Sequence, residues 1–251
     1  MKTRHKLHKP ISESCFPFPD LRPYFPRCHI SLVLVCCAGI SIFTGIYDSV
    51  ENMVLNLGKE RMILILACAI YAGFSCTDDF TGRTIIYAVA YGNRRFHILL
   101  VKGCRYILGC SAIIISYMAV SMMVSLPVLE TGVPLPDLIV YAAKSIILSL
   151  PLYWAVAIIF FAIAMVTRIA AMTMGISVAG SILGVVFTNK AYSAASVPDK
   201  SLLRLFPTIQ IPMIYEKTFA SCDYQMALVF SIIIIMIMVL AGSVILNRAE
   251  L

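Results

Sequence analysis

Six long apolar stretches constrain the fold of this chain more than any other feature. A helix needs roughly 20 mostly apolar residues to cross about 30 Å of hydrocarbon. Because 60% of the residues are hydrophobic and only 13% are charged, a single soluble core could not bury so much apolar surface. The sequence therefore predicts an all-α, polytopic integral membrane protein with about six transmembrane helices. The spans are predicted near residues 30–47, 62–77, 104–127, 138–166, 169–189 and 226–246.

The segments around these spans suggest how the chain is organised. Residues 1–29 are basic and rich in proline, which predicts a cytoplasmic tail before a transmembrane domain over 30–251. The second span is slightly short. The fourth is longer than a bilayer requires, so we expect it to be tilted, kinked at Pro151 or to begin outside the hydrocarbon. Residues 190–225 form a longer, more polar loop before the last span.

The positions of Lys and Arg predict the orientation. With the N-terminus inside, the inner segments carry thirteen of these residues and the outer segments carry six, Arg61 among the latter. Cytoplasmic loops carry an excess of positive charge, so both termini are expected in the cytoplasm and the protein in the cell (plasma) membrane. This rule also accounts for the net charge of +7, and no nucleic-acid partner is predicted.

No pattern in the sequence indicates a catalytic or metal site. The four histidines have no fixed spacing to carboxylates or cysteines of the kind that binds zinc. Asp78 and Asp79 are adjacent, so on a helix they point about 100° apart and do not form an acid–base pair. The chain also lacks the G-x-x-x-x-G-K-[ST] loop that holds nucleotide phosphates. We therefore expect no enzymatic activity and no cofactor in this chain.

The segment 78–103 is the most informative part of the sequence. Apolar residues recur at helical spacing on both sides of Gly92 and Asn93, which predicts a short amphipathic helix, a turn and a second helix that enters the third span. Arg95 and Lys102 are seven residues apart and share one face of that helix. They could contact lipid phosphates or the carboxylates of a partner. An ordinary basic loop at the membrane surface is the alternative.

This segment resembles the cytoplasmic segment of permease subunits from ABC transporters of the type-2 exporter class. The resemblance is sharp over about 25 residues and looser along the rest of the chain. Those permeases have an acidic residue after the second span, then a Gly-Thr pair, a hydrophobic helix, a Gly-x-x-Arg turn and a Lys. The matching positions are Asp79, then Gly82 and Thr84 with Arg83 between them, then Gly92 with Arg95, and finally Lys102.

The resemblance implies a membrane subunit that forms the substrate pathway of an ATP-driven exporter. Residues 78–103 would contact a separate ATPase subunit, which would bind the ATP and Mg, and a second permease subunit would complete a homo- or heterodimer in the lipid. Related systems carry peptides, lipids, glycans and drugs, and small members favour peptide antibiotics or lipid-like substrates. The alternative is a membrane interaction or sensor subunit that transports nothing.

Three further features each allow two interpretations. Lys144 lies inside an apolar stretch, where it either reaches the headgroups or contacts substrate along the pathway. Small residues at helix-packing spacing in the fifth span fit packing within the chain or a dimer interface. The loop 190–225 is either a plain external loop or, as in the similar permeases, carries a short re-entrant or interfacial helix. The small residues are Gly175 with Ala179 and Gly180 with Gly184.

Overall fold

A computed structural model describes residues 49–50, 54, 60–81, 95–127, 134–194, 203, 206–215 and 221–248. Its six helices are α1 (Arg61–Thr81), α2 (Arg95–Ser125), α3 (Leu135–Thr167), α4 (Ala170–Ala194), α5 (Pro207–Tyr215) and α6 (Ser221–Arg248). The predicted first span, 30–47, and the amphipathic helix predicted before Gly92 lie outside the described residues.

Four of these helices are long and apolar enough to cross a membrane: α2, α3, α4 and α6. They correspond to the predicted third to sixth spans. The predicted second span corresponds to α1, whose apolar part, Arg61–Thr77, is shorter than the other four. The all-helical membrane architecture predicted from the sequence is thus confirmed for the described part of the chain.

Helix α3 lies at the centre of the bundle and contacts each of the other described helices. Half of its most apolar stretch is buried, compared with 17% in α6. α1 packs mainly against α4, and α6 packs mainly against α3. Helices α1, α3 and α6 run antiparallel to α2 and α4. We call the end where α1 begins the Arg61 end and the opposite one the Arg95 end.

Helix α3 continues through Pro151 over its 33 residues. At about 1.5 Å per residue it is about 50 Å long, so it extends beyond the hydrocarbon. Proline removes one backbone hydrogen bond, and neighbouring side chains bind the carbonyls around it. Ser149 Oγ donates to the carbonyl of Ile146 at 3.0 Å, and Tyr224 Oη of α6 donates to that of Leu148 at 3.0 Å.

A turn of two residues connects α3 to α4. Arg168 has a left-handed backbone (φ 57°, ψ 3°), and its N–H donates to the carbonyl of Ala164 at 3.0 Å. Across the turn, the hydroxyls of Thr167 and Thr173 are 2.5 Å apart. These bonds close the α3–α4 hairpin at the Arg95 end.

The interfaces of α1 depend on small residues and stacked rings. On one side Gly73 lies against Met174 and the carbonyl of Ala170, so α4 approaches closely. On the other, Tyr71 stacks on Tyr106 of α2 with ring centroids 5.7 Å apart. α4 presents a buried stripe to this interface in which three hydroxyl residues recur every fourth position: Thr173, Ser177 and Ser181, followed by Val185.

The short helix α5 lies within the predicted loop 190–225. Its nine residues are too few to cross a membrane, and six of them are buried. Tyr141 Oη of α3 donates to the carbonyl of Tyr215 at 2.7 Å, which fixes the end of α5 against α3. Gln210 is only 1% exposed, so α5 packs into the bundle at the Arg61 end.

Candidate functional site

Three of the six residues predicted to couple to an ATPase lie at or near the Arg95 end. Asp79 is in the last turn of α1, and Arg95 is the first residue of α2. Lys102 follows two turns later in α2. Gly82, Thr84 and Gly92 lie outside the described residues. Of the six predicted positions, the structure therefore places one at the end of α1 and two along one face of α2.

Within α2, the face that carries Arg95 and Lys102 borders the buried side. Both residues are half-buried, and Lys102 Nζ is shielded from solvent. On the opposite side, His97 and Arg105 are exposed and line an open groove together with Cys104. Arg105 offers positive charge to a partner or to lipid headgroups. The signal of His97 and Arg105 in the sequence is helical phase, since 97, 101, 105 and 108 share one face.

Lys144 lies on the outer surface of the bundle. It is exposed on α3, on the same face as Val140 and Ile147, which are each 67% exposed. It is nine residues, or about 14 Å, from the start of a helix that is about 20 Å longer than the hydrocarbon. This position fits contact with headgroups, because a long Lys side chain near a helix end can reach the interface.

The small residues of α4 lie outside its buried hydroxyl stripe. Gly175, Ala179, Gly180 and Gly184 are exposed. A Cβ added at any of the three glycines would meet no described atom within 4 Å. Within the described chain, no packing partner for these glycines is thus found, and their use at an interface stays a prediction.

A cluster of polar side chains surrounds the residue where α1 begins. The sequence analysis counts Arg61 among the charges of the outer segments. In the structure it is the first residue of α1 and is only 8% exposed. Its Nη2 donates to Asn189 Oδ1 of α4 at 2.6 Å. The neighbouring Glu60 accepts a hydrogen bond from Tyr117 Oη of α2. Two adjacent charged residues therefore connect the start of α1 to two different helices.

Tyrosines continue this cluster into the bundle. Tyr153 of α3 is 2% exposed and close enough to Arg61, Tyr117 and Tyr215 to interact with them electrostatically. Tyr215 Oη lies 3.1 Å from Ser149 Oγ. Burial raises the pKa of the Tyr215 hydroxyl to about 12, although the hydrogen bond with Ser149 lowers it. The site is thus a set of neutral phenols around one carboxylate and one guanidinium.

Sequence reasoning missed this cluster because its members are far apart in the chain. Glu60 and Tyr117 are separated by 57 residues, and Arg61 and Asn189 by 128. The available signal was the shortness of the second span. A span with too few apolar residues brings its flanking charges to membrane depth unless the bilayer thins around it.

Comparison with known proteins assigns no family to the chain. No family model matches the sequence, and a search of curated proteins finds no matching relative. A function must therefore rest on the arrangement of the chain's own residues.

Proposed function

We propose that this chain is the membrane-spanning subunit of an ATP-driven exporter resembling the type-2 ABC class. It would have six spans, with both termini in the cytoplasm, and would work as a pair of permease subunits with two separate ATPase subunits below. The observation that carries the proposal is the segment from Asp79 to Lys102, with its acidic residue, Gly-x-x-Arg turn and Lys. The four apolar spans and α5 are consistent with it.

The continuity of α2 suggests how the two parts would be coupled. Arg95, within the segment 78–103 proposed to contact the ATPase, begins a helix that runs unbroken to Ser125. At about 1.5 Å per residue, this helix is about 46 Å long. A rigid helix of that length would carry a displacement at Arg95 across the membrane to the Arg61 end. ATP would favour one arrangement of the spans only if the complex in that arrangement binds ATP more tightly than in the other.

The proposal is tested by purifying the tagged chain in detergent from its native membrane. We expect an ATPase subunit to co-purify, identified by mass spectrometry and by its phosphate-binding loop. Reconstitution of the two chains should raise ATP turnover above that of the ATPase alone. The charge reversal Arg95→Glu should lower this stimulation roughly tenfold by removing one charged contact of about 1.4 kcal/mol.

Lys190→Glu provides the matched control, because it reverses the same charge on an exposed residue near the opposite end of the bundle. Gel filtration of both variants checks that they fold. The proposal fails if no ATPase co-purifies, or if Arg95→Glu and Lys190→Glu stimulate ATP turnover equally. A partner that binds but hydrolyses no ATP would instead favour the sensor subunit.

A further inference from the structure

An open groove runs along the exposed face of α2 at the Arg95 end. It extends from His97 to Ala112, about 22 Å along the helix axis, and has a volume of about 590 Å³. That volume lies within the range of about 300–1,000 Å³ that is usual for ligand sites. Gly109, which also lines the groove, lies against Tyr71 of α1. The groove is therefore a space on the surface of the bundle, beside the contact between α1 and α2.

The two parts of the groove differ in chemistry. His97 and Arg105 are exposed in the part nearer the Arg95 end, with the apolar side chain of Val101 between them. Beyond Arg105 the lining is apolar or small, and it includes Leu108 and Ala112, which are both exposed. A molecule that fills the whole groove must therefore be polar at one end and apolar at the other.

The sequence of α2 determines the depth of Arg105 in the membrane. Arg105 is the last charged residue of the helix, and the stretch that follows it, 106–125, carries no charge. Twenty helical residues are about 30 Å long, which equals the thickness of the hydrocarbon. Arg105 thus lies at the boundary between hydrocarbon and headgroups. Helical side chains lean towards the start of their helix, so the Arg105 side chain extends into the headgroup layer.

The charge of Arg105 favours an anionic partner at this depth. No hydrogen bond or ion pair joins its guanidinium to another residue in the described part of the chain. A guanidinium has five N–H donors in a planar fork that fits the oxygens of a phosphate. A phosphate in a zwitterionic headgroup is already paired with the headgroup's own cation. An anionic headgroup has no such cation, so it complements Arg105 better.

We propose that this groove binds an anionic phospholipid of the leaflet at the Arg95 end. The lipid phosphate binds Arg105, and the His97 imidazole donates a hydrogen bond to an oxygen of the headgroup. One acyl chain lies along the helix from Leu108 to Ala112. The inference concerns a lipid of the surrounding membrane, and it does not rest on the proposed transport function.

Trp154, the protein's one tryptophan, supplies the assay. Its Nε1 donates to Ser111 Oγ at 2.8 Å, and Ser111 precedes Ala112 at the apolar end of the groove. Ser111 is six residues beyond Arg105, which is about 9 Å deeper in a leaflet whose hydrocarbon is about 15 Å thick. Bromine atoms near the middle of an acyl chain that lies in the groove are therefore close to Trp154 and quench its fluorescence.

The purified full chain is reconstituted in vesicles that mix phosphatidylcholine and phosphatidylglycerol in varied ratios, with one of the two lipids brominated at a time. We expect phosphatidylglycerol to quench Trp154 with about fivefold higher apparent affinity than phosphatidylcholine. Arg105→Gln should abolish this preference, and Arg105→Lys, which keeps the charge, should retain most of it. Lys144→Gln is the matched control, because it removes the same charge from an exposed residue nearer the Arg61 end, and it should leave the preference unchanged.

A second pair of variants tests the groove itself. Ala112→Phe places a large ring in the path of the acyl chain, so it should remove the preference for phosphatidylglycerol although Arg105 is intact. Ala119→Phe adds the same ring at an exposed position of α2 outside the groove and should keep the preference. Gel filtration checks that all variants fold.

The site is overturned if both lipids quench the unmodified protein equally, or if Arg105→Gln or Ala112→Phe keeps the preference. Loss of the preference in Lys144→Gln would indicate a general attraction of anionic lipids, which also overturns the site. Quenching by either lipid that appears only when the protein is diluted in lipid would show that a second copy of the chain covers the groove instead.

Discussion

The hydrogen bond between Arg61 and Asn189 should measurably stabilise the bundle. Hydrogen bonds to charged groups contribute about 1.5–3 kcal/mol in proteins, whereas those measured between membrane helices average about 0.6 kcal/mol and reach about 1.7 kcal/mol. Arg61 is 8% exposed and its 2.6 Å bond is short, which favours the upper part of the membrane range. Asn189 is exposed, which lowers the value. We expect a coupling free energy of about 1.5 kcal/mol.

A double-mutant cycle with Arg61→Met and Asn189→Ala measures this coupling. The free energy of unfolding of the four proteins is obtained from denaturant titration in mixed micelles, with Trp154 fluorescence as the signal. Lys190→Ala, at the adjacent exposed position, is the control and should change stability by less than about 0.5 kcal/mol. A coupling energy below about 0.5 kcal/mol would refute the reasoning that α1 is held at this end by its first residue.

Three further predictions follow from packing, charge and orientation. Gly109→Ala should lower the free energy of unfolding by about 1–3 kcal/mol, because its Cβ would collide with the buried ring of Tyr71. Gly175→Ala has open space around it and should leave the stability of the monomer unchanged or raise it by up to about 1 kcal/mol. A large loss of stability in Gly175→Ala, measured by thermal unfolding, would instead indicate an interface there. The pKa of Tyr215 is raised to about 12, so its phenol should stay neutral up to about that pH in the folded protein. Its contribution to stability should be constant below pH ~10, where a tyrosine in the unfolded chain begins to ionise, and should fall as the pH rises further. Ring-carbon NMR, with Tyr215→Phe for assignment, measures this titration, and a midpoint near pH ~10 would contradict the prediction. In a background with Cys104 and Cys222 replaced by Ala, a membrane-impermeant maleimide applied to intact cells should label Lys190→Cys and leave Arg105→Cys unlabelled. The reverse pattern would invert the predicted topology.

The spans were the most predictable part of the fold. A span in lipid needs about 20 apolar residues with all backbone groups hydrogen-bonded. The apolar sequences that form α2, α3, α4 and α6 meet this requirement and can be recognised from the sequence. α2 begins at Arg95, after the turn predicted at Gly92 and Asn93, and continues into the apolar run near 104. A helix can extend past the hydrocarbon when its polar residues face water or headgroups.

The candidate site was less predictable, since it depends on contacts between distant parts of the chain. The spacing of Arg95 and Lys102 predicts that both lie on one face of a helix. It does not predict that this face borders the buried side of α2. Arg61 appeared to be a loop charge because only the packing of α4 shows that Arg61 is buried and bonded to Asn189.

The two-residue turn at Arg168 limits how this protein can change shape. Two residues span at most about 7 Å when fully extended, so α3 and α4 cannot slide past each other by more than a little over one helical turn. A longer sliding movement of one helix along the other is excluded while both helices stay intact, so α3 and α4 must take part in it together. Any large rearrangement must then occur where this pair meets α1, α2, α5 and α6.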